Sequence, residues 1–134
     1  MNKCIVFYED WQMQCCGENF SNHSKIKWLV CDGSKIKLPI QTDCINYYYE
    51  THSLDYKSLF VLEGNIKWIK AFYEKYEISK GIPKIKIGVD GILCDIESSC
   101  DISDNKENME FSGYIVCVEN FSIRPALESE VTYK

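Results

Sequence analysis

At 134 residues, 46% of them hydrophobic and 13% aromatic, the chain is long enough for one self-sufficient domain and too apolar for a disordered one. A net charge of −5 with a single arginine, Arg124, argues against a nucleic-acid interface. The apolar runs are too short to span a bilayer, so no membrane segment is expected.

The opening, "MNKCIVFYEDW", holds one lysine and then only four apolar residues before Tyr8. That is shorter than the apolar core of a signal peptide, so a cytoplasmic protein is expected. The eight cysteines, at 4, 15, 16, 31, 44, 94, 100 and 117, then read mostly as free thiols used as small buried hydrophobes. None forms a Cys-x-x-Cys pair, so zinc-ribbon spacing is absent.

Cys4 to Tyr8 is β-rich and bounded by Glu9-Asp10, which predicts a strand. The next segment, "YEDWQMQCCGENF", sets Cys15 beside Cys16 and follows them with Gly17, where a bend is expected. Ile26, Trp28 and Val30 alternate with Lys25, Lys27 and Leu29, a period-two strand. Asp32-Gly33 predicts a tight turn, with Lys35–Leu38 returning as the hairpin partner and Pro39 ending it. "CINYYYE" is another β-type run. Leu59 to Leu62 is apolar and runs into Glu63-Gly64-Asn65, read as punctuation. "NIKWIKAFYEKYEIS" fits either period, and its Ile, Trp, Phe and Tyr content favours a strand. Lys84 to Ile87 alternates, Asp90-Gly91 predicts a second turn, and Ile92–Cys94 resumes. Residues 98–110 are polar, acidic and aperiodic, an exposed loop. Tyr114, Val116 and Val118 open the last strand.

Some seven short β runs imply an all-β fold, and at this length a small antiparallel β-barrel of SH3- or OB-like size with extended loops. The domain is expected to occupy 1–128, with 129–134 as a frayed tail.

The quoted segment resembles the start of an uncharacterised bacterial family, a domain of unknown function. Its members carry Trp-Gln-x-x-Cys-Cys-Gly-x-Pro-Phe and then an x-Val-x-Trp strand. Trp11, Gln12, Cys15, Cys16, Gly17 and Phe20 match, followed by Ile26 and Trp28; the family's proline is Asn19 here. Tyr49–His52, Gly64–Ile69 and Gly113–Val116 resemble later family segments. The resemblance implies a shared fold and no activity.

Two functional readings follow. The first is a non-enzymatic protein-binding module whose acidic loop, with Asp101, Asp104 and Glu107, meets a basic protein partner. The alternative is a thiol or zinc-binding protein. Zinc favours thiolate and imidazole donors, and Cys15, Cys16 and His52 could supply three of the four usually needed. Against it stands the plainer reading of both cysteines as packed side chains around a bend at Gly17. His52 with either cysteine would also form a nucleophile–base pair. Glu9 and Asp10, adjacent at a strand end, point apart and make poor acid–base partners.

Overall fold

A computed structural model describes residues 2–40, 44–51, 55–78, 80–81, 83, 86–103 and 105–131, the side chains of residues 15, 16 and 86 excepted. The elements are β1 (Lys3–Glu9), α1 (Asp10–Cys16), β2 (Lys25–Asp32), β3 (Tyr47–Tyr49), β4 (Phe60–Ile78), β5 (Lys86–Ile96), β6 (Asn105–Lys106) and β7 (Met109–Pro125). Single 3-10 turns cover Tyr56–Ser58 and Glu128–Glu130.

The all-β class holds. The strands run β5-β4-β2-β3-β1-β7-β6, and β7 pairs back onto β4, so five strands form a closed ring of neighbours. Most pairings are antiparallel, but β1 and β3 run parallel, through Val6↔Tyr47 and Phe7↔Tyr48, which departs from the antiparallel arrangement expected. β4 is long enough to serve three neighbours. Its first half pairs with β2, its second half with β5, and nearly its whole length with β7.

Alternation on these strands sorts the side chains into two cores. Cys4, Val6 and Tyr8 of β1 face inward with Ile26, Val30, Leu62, Ile66, Ile69, Tyr114, Val116 and Val118. Ile5 and Phe7 face outward with Phe72, Ile115 and Cys117, and are covered by Ile36, Leu38, Ile40 and Ile45. A third cluster joins Leu59 and Val61 to Ala126 and Val131 beyond the end of β7. Burial on both faces explains why β1 and the middle of β7, Tyr114 to Val118, read as unbroken apolar runs.

Three local expectations give way. Residues 33–40 form no strand, so the Asp32-Gly33 hairpin is absent; Ile36 and Leu38 alternate because they pack on the outer face of the sheet. β5 passes straight through Asp90-Gly91 without reversing. β4 likewise runs through Glu63-Gly64-Asn65, taking up only a register shift there. The expected acidic loop 98–110 divides into a turn at Ser98–Asp101 and a two-residue hairpin. In that hairpin Glu107 and Asn108 take φ of 51° and 63°, the left-handed pair such turns require. Of the expected tail, the Glu130 carboxylate receives both Arg124 guanidinium nitrogens at 2.7 and 2.6 Å, and Val131 is buried. Arg124 and then the Leu127 amide hold the Glu130 carboxyl down to about 2.

Candidate binding groove

α1 lies across one end of the ring and is fastened there by Gln12. This side chain is fully buried (0% exposed). Its amide nitrogen donates to the Tyr49 carbonyl at 3.0 Å, and its carbonyl oxygen accepts from the Thr51 hydroxyl at 3.2 Å. The chain bends at Thr51, and β3 ends at Tyr49. Next to it, the Glu9 carboxylate accepts from the Tyr48 hydroxyl and, at 3.2 Å, from the Trp11 indole nitrogen. Burial, reinforced by that carboxylate, pushes the Tyr48 phenol well above its ordinary range.

Gly17 caps α1 with φ −78° and ψ 153°, a conformation open to any residue. Its glycine is required by proximity instead. An added Cβ would sit 2.7 Å from the Met13 Cα and collide with the Tyr8 hydroxyl. The bend expected at this position is therefore real, but close packing demands the glycine.

Beneath α1 the ring interior is filled by aromatic rings. Tyr8 stacks on Tyr49 with centroids 3.8 Å apart and planes at 15°. Phe20 and Trp28 approach Tyr8 at 5.4 Å each, and Tyr114 at 6.0 Å. Phe20 and Trp28 meet edge to face at 5.1 Å. The Phe20 amide donates to the Ser99 hydroxyl at 2.9 Å, which anchors the 17–20 segment to the far side of the ring.

This aromatic layer comes to the surface at one seam. β2 meets β3 only through Val30–Asp32, with one further hydrogen bond from the Glu50 amide to the Leu29 carbonyl at 3.1 Å. Among the described residues, no strand lies beside the first half of β2 on that side. The Ile66 amide bonds the Ser24 carbonyl at 2.9 Å, which sets the alternation of the ladder. The backbone groups of Ile26 and Trp28 then face β4, while those of Lys25 and Lys27 face the seam. A groove of about 420 Å³ opens there, between Lys25–Trp28 on one wall and Glu18, Asn19 and Phe20 on the other, with Tyr49 at its end. A smaller hollow of about 250 Å³ continues past Lys27 and Trp28 to Thr51 and Glu130. The first volume is within the range of sites that hold small molecules or short peptides.

A shallower hollow of about 670 Å³ lies between Asn22, Trp68–Lys70 and Asp95–Glu97. Its backbone is committed to the β4–β5 ladder, and Lys70 lies 5.0 Å above the Trp68 ring.

The residues singled out from the sequence are distributed as follows. Cys15 and Cys16 are the last two residues of α1, so they sit about 100° apart around a helix axis; their side chains lie outside what is described. His52 and Asp104 also lie outside the described residues. Among the described residues, no group of three or more His, Cys, Asp or Glu could hold a metal ion. Asp101 is exposed, and its carboxylate accepts from the Ser98 amide at 3.0 Å; Glu107 is exposed in the β6–β7 turn. The motif match picks out Gln12, but neither its burial nor the seam was visible in the sequence. A glutamine in a polar stretch carries no burial signal, and an open edge depends on where a neighbouring strand stops.

The remaining thiols divide by burial. Cys4 and Cys117 are buried, Cys44 and Cys100 exposed. Burial, and secondarily the charge of Cys117, pushes the Cys4 thiol up to about 12. Iodoacetamide at neutral pH is therefore expected to modify Cys44 and Cys100 in the native protein, and Cys4 and Cys117 only after denaturation. Peptide mass spectrometry reads the order; native labelling of Cys4 or Cys117 at the rate of Cys100 would contradict the described core.

No helix among the described residues is long and apolar enough to cross a membrane. No curated protein and no solved structure matches the chain. A family model does match, over residues 2–120, and by that match the chain belongs to the family of unknown function DUF6578.

Proposed function

We propose that this chain is a non-enzymatic binding module that holds an extended segment of a partner protein against the open edge of β2. One observation carries the reading. The backbone of Lys25 and Lys27 faces a groove that Phe20, Trp28 and Tyr49 line together with polar side chains, with no described strand beside it. Unpaired strand edges recruit extended peptides, because main-chain hydrogen bonds give affinity and alternate side-chain pockets give selectivity. The same reading takes the five-strand ring as a small barrel with one seam left open, in a cytoplasmic protein. It prefers the seam to the acidic turns as the contact, since the Asp101 carboxylate is already engaged by Ser98.

The test is selection of a displayed random octapeptide library on the purified chain, followed by amide mapping of the selected peptides. They are expected to shift the Lys25 and Lys27 amides and the Trp28 indole, and to slow hydrogen exchange at those two amides. Lys27→Pro removes a donor that faces the groove rather than β4, so the sheet should tolerate it while peptide affinity falls at least tenfold. Selected peptides that map elsewhere, or that leave exchange at Lys25 and Lys27 unchanged in the unaltered protein, would overturn the reading whether or not the proline variant folds.

A further inference from the structure

Resting on that reading, we infer that the segment held in the groove alternates acidic residues, placed beside Lys25 and Lys27, with apolar ones that lie in the groove against Phe20, Trp28 and Tyr49. β2 fixes this pattern. Ile26 is buried, and the lysines on either side of it are exposed on the outer face. A strand added antiparallel to β2 continues the direction that β3 takes on the same edge. Its side chains must alternate in step with those of β2. Outward positions then stand about 4.5–5.5 Å, Cβ to Cβ, from Lys25 and Lys27, where opposite charge is favoured. Inward positions meet Ile26, Trp28, Phe20 and Tyr49, where a charge would be stranded and an apolar side chain is favoured.

Of the charges facing the lysines, Glu63 is opposite Lys27 on β4 and offsets part of its charge, while the uncharged Asn65 is opposite Lys25, so the acidic preference is strongest beside Lys25. Glu130 lines the hollow beyond, but Arg124 and the Leu127 amide already hold its carboxylate. Glu18 is on the far wall, so ligand carboxylates belong on the β2 side. The overall charge of −5 opposes an acidic ligand only weakly, because charges beyond about 8 Å are screened at physiological ionic strength. Five residues, 24–28, edge the groove, which at 3.3 Å per residue is about 17 Å of extended ligand.

Three capped hexapeptides test this: glutamate alternating with leucine, lysine alternating with leucine, and glutamate alternating with glycine. Titration is followed by the Lys25 and Lys27 amides and the Trp28 indole. The first peptide is expected to bind at least tenfold more tightly than either other, and Lys25→Glu with Lys27→Glu to invert the preference between the first two. Equal or tighter binding of the lysine peptide at the same amides would overturn the charge pattern, and equal binding of the glycine peptide the apolar one; both leave the docking edge standing. If none of the three moves these signals while library-selected peptides do, the inference falls alone. If the selected peptides fail as well, the docking edge falls with it.

Discussion

Replacing Tyr8 by alanine is expected to cost about 3–5 kcal/mol, the range for deleting a large aromatic side chain from a close-packed core. Tyr8 is 1% exposed and stands where the three parts of the molecule meet: the β1 strand that carries it, α1 and the ring interior. Its ring touches those of Tyr49, Phe20, Trp28 and Tyr114, and its hydroxyl lies against Gly17. Alanine would leave a cavity bounded by four aromatic rings that cannot collapse without breaking their own edge-to-face contacts, each worth about 0.5–1.5 kcal/mol beyond the area it buries. Against a typical total of about 5–15 kcal/mol, the loss leaves little margin. Tyr8→Phe keeps every ring contact and removes only the hydroxyl, for about 1 kcal/mol. Urea unfolding of the two variants beside the parent checks this. Equal costs, or an alanine cost below about 1.5 kcal/mol, would mean that the aromatic layer does not hold α1 on the ring.

Strands were legible in this sequence where burial and residue type agreed. β1, β2 and β7 carry β-branched and aromatic residues at positions that pack on one core or the other, so their existence could be read without knowing their neighbours. Glycines misled where they serve contact rather than reversal. Gly91 follows Asp90 as in a tight turn, yet it stays in β5 because an added Cβ would come within 2.6 Å of the Phe72 ring and 2.8 Å of the Tyr73 carbonyl. Gly64 stays in β4 because Val118 and the Glu119 carbonyl crowd the same point. Both look like punctuation in sequence and act as spacers in the sheet.

α1 escaped notice for a different reason. Seven residues fall below the window in which helical periodicity can be told from chance, and Cys15-Cys16-Gly17 drew attention to thiol chemistry. In the structure the segment around that triplet has a mechanical role. Trp11 and Glu9 brace the start of the helix, Gln12 ties it to β3, Gly17 lets it lie on Tyr8, and Phe20 completes the aromatic layer. The groove was the least legible feature, because it exists only where β3 stops short while β2 continues. No local pattern records the length of a strand's neighbour.

Gln12 offers the sharpest test of that arrangement. Gln12→Glu preserves the shape of the side chain but replaces the amide nitrogen that donates to the Tyr49 carbonyl with an acceptor. At neutral pH a carboxylate would be buried there, one oxygen still accepting from the Thr51 hydroxyl but the other held against the Tyr49 carbonyl oxygen, beside the Tyr48 phenol that already donates to the Glu9 carboxylate. Stranding a buried charge costs about 3–5 kcal/mol. The sign of the pH dependence follows. Burial and the neighbouring acids raise the introduced carboxyl above the value of about 4.3 that it has in the unfolded chain. The unfolded state therefore releases its proton first as pH rises. The penalty is absent below about pH 4, where the protonated acid can donate to Tyr49 as the amide did, and it grows with pH until the folded-state value is passed. Melting temperatures of variant and parent should thus lie closest at and below about pH 4, diverge as pH rises, and hold a constant gap once the folded-state value is passed. A gap that is the same at every pH would mean that residue 12 meets solvent, and that α1 is not held to the end of β3 by a buried hydrogen bond.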